Sequence, residues 1–461
     1  MQLLVRLTGA AALGASFMAP LSGQHPPVAP TTWAITGARI EPVSGPAIAT
    51  GTVVIRNGLI AAVGASVAVP ADARVIDGSG LTVYPGFIDG YGTLGMPTAA
   101  APAGGATGAA AAAQAAARRP SAPNSTYGTG LQPEVNAAAE LEPTATSFTT
   151  ARSAGFTAAL TAPGAGVFRG RSAVISLGDG RAAELVVRAD VAQHVGFARG
   201  GGGGGGGGGY PGALMGVFAQ LRQQLLDAQT WRDNQAAYAR NPRGMVRPIH
   251  DPSLEVLQPV LAGTQPVVMF ANTEREIERA LDLATEFRLK AIIAGGREAW
   301  KVTDRLRAAN AAVLLDIDFP RRTAPAGGRS ASTADDPPEA MSVLRSRVEM
   351  PQTAGKLDQA GVRFAMVSNG DFADFAANLR RAVAAGVTRD RALRAITLEP
   401  ATLLGVADRM GSVEVGKMAN LTIASGDLFA EGGRVTQVFI DGQRFELPAP
   451  AAGTPGAGRG Q

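Results

Sequence analysis

The sequence predicts an α/β fold: a (β/α)8 TIM-like barrel joined to a small all-β sandwich domain built from both chain ends. Three observations predict it. Both ends read as short strands with hairpin signals, and the middle alternates apolar strands with amphipathic helices. The 461 residues, 46% hydrophobic and 17% charged, suffice for one large core and a smaller one.

From Thr32 the chain reads as strand and turn: "WAITGARIEPV", then "GTVVIRNGLIAAVG" with Asn57-Gly58 as a two-residue hairpin turn, then "ARVIDGSGLTVYPGFID". The same texture returns after Val406 in "GSVEVGKMANLTIASGD" and "RVTQVFIDGQRFELP", where Asp441-Gly442 is the second hairpin signal. Residues 32–82 and 407–447 are therefore expected to pair into the sandwich, with 83–406 inserted between them as the barrel. Within that insert "GFTAALTAP", the stretch around "RADVAQHVGF", "QPVVMFA", "AIIAGG", "AAVLLDIDF" and "VRFAMVS" read as strands. The helix after "QPVVMFA" has Thr273 and Glu276 at capping-box spacing and Ile277, Ala280, Leu281 and Ala284 on one face. Strand–helix alternation at this spacing favours parallel βα units, eight being the economical count, with an active face at the C-terminal strand ends.

Residues 1–23 hold one cation, Arg6, then an apolar run and small residues, the pattern of a bacterial export signal; a periplasmic or secreted location is expected. No other segment approaches the roughly 18–20 apolar residues that a membrane span requires. Ala, Gly and Pro dominate 98–123, glycine fills 200–209, and 321–338 is polar with Pro and Gly; these insertions and the tail 448–461 are expected to be disordered. Cysteine is absent, which excludes disulfides, zinc–thiolate sites and cysteine nucleophiles. Only three histidines occur, His25, His194 and His250. The net charge of +4 comes from arginines scattered singly or in pairs, without interleaved aromatics, so nucleic acid is not an expected partner.

Two motifs are decoys. "GAGVFRGRS" from Gly164 lacks the lysine of a phosphate-binding turn, and the "AVISL" that follows reads as strand rather than helix. The glycine run offers no pre-organised cradle. The sequon at Asn124 is of a kind common by chance.

The segments "VYPGFIDG", "EVNAAAELEPTATSFTTARSAGFTAAL", "GRSAVISL", "LEVLQPVLAGTQPVV", "GGREAWKV" and "ALRAITLEPATLLGVADRMGSVEVGKMANLTI" resemble the amidohydrolase superfamily, specifically its exported imidazolonepropionase-like branch, over most of residues 32–447. The resemblance implies hydrolysis of C–N bonds by Zn or another divalent metal at the barrel mouth, which activates a water and polarises the scissile carbonyl. The metal-gripping His-x-His pair of that family falls on Tyr91 and Thr93. The next ligand positions fall on Phe270, with Asn272 two residues on, and on Gly295; the closing aspartate falls on Asn369. The remaining position, on the fourth strand, is placed at His194. Phenylalanine and glycine have no donor atom, and an amide oxygen is a weak neutral ligand.

Five ligands replaced at separate strand ends, on a still readable scaffold, point to a protein without metal or other cofactor that has left metal hydrolysis for binding. Tyr91, Thr93, His194, Asn272, Arg297 and Asn369 are the expected ligand-binding residues, Arg297 supplying charge to an anion. A small molecule, an active amidohydrolase paralogue or a second copy of this chain are the candidate partners. The alternative is an active amidohydrolase with an atypical, metal-free site using His194 with Asp89 or Asp371. His250 reads as a loop or capping residue, and Asp89 as a structural acceptor near the strand end.

Overall fold

The computed structural model describes residues 32–97, 130–143, 145–164, 166–197, 213–320 and 340–447. The expected export signal, the insertions at 98–123, 200–209 and 321–338, the tail 448–461, His25 and Asn124 lie outside the described residues.

The two chain ends do meet. β1 (Trp33–Ile40), β2 (Ile48–Arg56), β3 (Leu59–Gly64), β4 (Arg74–Asp77) and β5 (Leu81–Pro85) come from the N-terminal part. The central segment supplies β6 (Phe87–Asp89), β7 (Phe156–Thr161), β8 (Phe168–Arg171), β9 (Ala173–Ser176), β10 (Val186–Arg188), β11 (Gln193–Gly196), β12 (Val267–Ala271), β13 (Ala291–Gly295), β14 (Ala312–Asp316) and β15 (Phe364–Val367). The C-terminal part adds β16 (Leu421–Ser425), β17 (Arg434–Ile440) and β18 (Gln443–Glu446). β5 pairs antiparallel with β16, Pro85 opposite Leu421, so both ends share one sheet of order β18-β17-β16-β5-β1-β2-β3 with β4 on β1. The expected sandwich is thus a single continuous eight-stranded sheet. It keeps an apolar core of its own, including Ile35, Ile55, Val83, Leu421, Ile423 and Phe439.

Local turn chemistry explains its hairpins. Asn57 and Gly58 (φ 53° and 78°) close β2–β3, and Asp441 and Gly442 (φ 52° and 77°) close β17–β18. Two successive positive φ values suit the right-handed twist of flanking strands, and Asn, Asp and Gly tolerate them best.

The central strands form two further sheets, β10-β9-β7-β6 and β15-β14-β13-β12-β11-β8. β6 runs parallel to β7, and β11 through β15 run parallel to one another. The expectation of parallel units throughout fails at one place. β8 and β9, separated only by Ser172, pair antiparallel with β11 and β7 respectively. The link between β7 and β8 is too short for the helical crossover that parallel strands require, so the chain must turn back on itself. Ser172 bonds backbone to backbone with Ala192 and Val191, stitching the two sheets at that junction. Between β15 and β6 there is no ladder among the described residues; Ser368 bridges them instead, donating from its amide and hydroxyl to Asp89 at 3.1 and 2.6 Å.

The inward faces of these strands meet in one apolar cluster, with Ile88, Leu160, Val174, Val268, Leu314 and Val367 among its members. Helices cover the outward faces. Glu274–Phe287 begins with Thr273 and Glu276 in a reciprocal capping box and buries Ile277, Ala280, Leu281 and Ala284, the face its periodicity predicts. Arg389, at the start of Arg389–Ile396, ties this layer to the terminal sheet through Glu41 and Asp427, each at 3.1 Å. No helix of the described residues is long and apolar enough to cross a membrane.

Candidate functional site

The C-terminal ends of β6, β11, β12, β13, β14 and β15 define a rim. Strand parity decides which side chains point into it. On β12, Val268 belongs to the inward cluster and Met269 to the outward one, so Phe270 faces inward at the strand end. The register pairs His194 with Val268 and Gly196 with Phe270. His194 therefore faces inward one layer below the rim, and Gly196 is the rim-level residue of β11.

Tyr91 fills the centre. Its ring stacks on His194 (centroids 5.9 Å apart, planes at 24°) and on Phe270 (5.6 Å, 17°). Three positions expected from sequence, Tyr91, His194 and Phe270, thus come together in an aromatic stack. Arg169, on the antiparallel β8, completes it. Its Nη1 donates to the Tyr91 hydroxyl at 2.9 Å, its Nε reaches the Gly166 carbonyl at 3.4 Å, and its guanidinium carbon lies 5.8 Å from the Phe270 ring centroid. The guanidinium occupies the space over Gly196: a Cβ there would sit 2.2 Å from Nη2 and 2.6 Å from Nε. Glycine at 196 is what lets the cation in.

A second cluster lies on the β13–β15 side. Asp316 ends β14 with its side chain 1% exposed, and its Oδ2 accepts from Arg297 Nη2 at 2.9 Å and from Asn369 Nδ2 at 3.4 Å. Its Oδ1 accepts from the Asp318 amide at 2.8 Å, and burial pushes its carboxyl above the ordinary range. Arg297 is thus matched by a carboxylate rather than unpaired as its sequence role assumed. Asn369 is exposed at φ 50°, and Thr93 is exposed beyond the stack. Gly295 has φ 91°, and a Cβ there would lie 2.4 Å from Asn272 Oδ1, so the backbone itself has closed that position to a larger ligand residue. Asn272 Oδ1 and His194 Nε2 are buried and without a partner among the described residues.

Beneath the rim, burial and then the Arg169 charge press His194 down to about 3, so its imidazole is neutral in the folded protein at ordinary pH. Burial pushes Asp89 up to about 6, opposed by its bonds from Ser368. As expected, Asp89 is a structural acceptor at the strand end. The Asp371 carboxylate accepts from the Asp374 amide at 3.4 Å. His250 is an exposed loop residue, 3.7 Å from Glu255, and its neighbour Asp251 caps the helix Pro252–Glu255. "GVFRGRS" continues into β9 as strand, so the phosphate-turn resemblance goes no further.

The residues present do not fit a divalent cation. Among the described residues no three His, Asp or Glu side chains gather as a metal would require. The rim side chains nearest the positions that the resemblance assigns to metal ligands are an aromatic stack and a guanidinium, whose charge would repel a cation. Sequence reasoning missed Arg169 and Asp316. Asp316 was findable as the first carboxylate to interrupt the apolar run "AAVLLDIDF"; Arg169 sat inside a motif set aside as a decoy.

A separate cavity of about 410 Å³ lies at the opposite end of β6, lined by Phe87, Ala154, Phe375, Leu379, Leu428 and Val435 among others, away from the rim.

Solved structures share this fold. An amidohydrolase from Thermotoga maritima MSB8 is 22% identical with a TM-score of 0.70, over 90% of this chain and 100% of that one. A prolidase complexed with N-methylphosphonate-L-proline is 16% identical (TM-score 0.53; 91% and 100% of the two chains), and a putative prolidase from Bifidobacterium longum is 16% identical (0.51; 91% and 96%). No curated protein sequence matches the chain. Within the sequence, residues 258–445, from the helical turn before β12 to β18, match the model of the amidohydrolase family.

Proposed function

We propose that the central sheets close into an eight-stave barrel of the imidazolonepropionase-like type, that metal-dependent catalysis has been lost from it, and that the exported protein binds a small molecule or a partner subunit. An active amidohydrolase relative and a second copy of this chain are the subunits it would join. One observation carries the reading: where the resemblance puts metal-binding imidazoles, Tyr91 and Phe270 stack against each other under the Arg169 guanidinium. A cation centre cannot share that space with a guanidinium without severe repulsion at a site of low effective dielectric. With purified full-length chain, prolyl dipeptides and cyclic amides are expected to show no turnover above buffer, with or without a chelator. Turnover that a chelator abolishes would contradict the proposal.

Asp89 favours a second reading, since a carboxyl near 6 is suited to proton transfer at neutral pH. Against it, Asp89 is 2% exposed with both oxygens held by Ser368, and an imidazole titrating near 3 is too weak a base to assist. Chelator-insensitive turnover that disappears in Asp89→Asn would favour this alternative.

A further inference from the structure

Two guanidiniums reach the rim, and they differ in one respect. Arg297 is neutralised by Asp316 at 2.9 Å. Arg169 is half-buried and, among the described residues, meets only the Tyr91 hydroxyl and the Gly166 carbonyl; no carboxylate pairs with it. A guanidinium has five N–H donors in a planar fork, so Arg169 retains donors, and an anion arriving there would offset the cost of holding that charge partly out of water. The cation is also placed with care. Glycine at 196 makes room for it, the Tyr91 hydroxyl orients it, and the half-exposed Phe270 ring lies beside it as an apolar surface.

Resting on the metal-free reading above, we infer that Arg169 takes over the positive charge once supplied by a metal and binds the carboxylate of a small organic acid whose apolar body lies against Phe270. A planar monoanion suits the fork in a bidentate manner and balances a single uncompensated charge. A phosphate dianion would bring one charge too many for this site. Tyr91 acts as a positioning residue that holds the fork at the rim.

Benzoate tests the idea, with benzamide as its uncharged isostere and inorganic phosphate as the competing oxyanion, each titrated calorimetrically into the purified full-length chain. Benzoate is expected to bind at least about tenfold tighter than benzamide, the scale of one charge-assisted contact, and tighter than phosphate. Arg169→Met is expected to erase the preference for benzoate over benzamide. Gly196→Ala keeps the arginine but pushes its guanidinium aside, and is expected to weaken benzoate about tenfold with little change in melting temperature, because only the end of a flexible side chain must move. Equal affinity for benzoate and benzamide, phosphate binding the tighter, or benzoate affinity unchanged in both variants would overturn the inference. Metal analysis of the same sample separates the two levels: a metal-free chain that ignores benzoate refutes only the carboxylate site, whereas bound stoichiometric metal refutes the reading beneath it.

Discussion

Acidifying the protein from pH 6.5 to 3 is expected to cost it about 4 kcal/mol through His194 while Asp89 returns about 3 kcal/mol. His194 is pressed from 6.5 to about 3 in the fold, so above 6.5 both states are neutral, and as pH falls the unfolded chain takes up a proton the folded one refuses. The stability held by neutral His194 therefore drains between those two values. Asp89 is raised from 3.8 to about 6, so its contribution is complete below 3.8 and lost as pH climbs through 6. Between about pH 4 and 6 the two slopes oppose each other, and the wild-type urea midpoint should change least there through these groups. Asp89→Asn should expose the full His194 slope. His194→Leu should leave the Asp89 slope alone, so that its stability gain over wild type grows toward acid. Other carboxylates titrate alike in all three proteins and cancel in the differences. Superimposable pH profiles for wild type and Asp89→Asn would show that neither burial nor Ser368 perturbs that carboxyl.

Tyr91→Ala is expected to destabilise the chain by about 3–5 kcal/mol, the range for removing a large buried aromatic, read from urea unfolding at pH 7. Tyr91 is 9% exposed and stacks on both His194 and Phe270, so truncation opens a cavity beside these rings and frees the Arg169 guanidinium from its hydroxyl partner. Tyr91→Phe keeps both stacks and loses only the hydroxyl, at an expected cost of about 1 kcal/mol. Equal losses in the two variants would mean that the hydroxyl–guanidinium bond, not the stack, holds the rim.

What the sequence disclosed follows from how local each signal was. Asn57-Gly58, Asp441-Gly442 and the Thr273–Glu276 cap each depend on a few neighbouring residues, and each lies where its spacing placed it. The direction of β8 and β9 was not legible, because an apolar run such as "AVIS" looks the same whichever way it pairs. The same blindness hid Arg169: its place at the rim depends on an antiparallel strand, on the register irregularity where it falls, and on a glycine 27 residues downstream whose missing Cβ leaves it room. For the same reason the register moves the rim-level position of β11 from His194 to Gly196. His194, Tyr91 and Phe270 could be named individually from the resemblance, but their stacking is a property of the packed interior. Arg297 could be named as a cation near the rim, yet its carboxylate partner Asp316 lay unnoticed within an apolar strand.

The central claim, that Tyr91, Phe270 and Arg169 have displaced a dication from the strand ends, is tested most directly by elemental analysis of the full-length chain after incubation with Zn²⁺ or Mn²⁺ and desalting. The account predicts well under one metal ion per chain for either ion. One tightly held ion per chain, lost when Tyr91 or Asp316 is replaced by alanine in a variant that still folds, would contradict it.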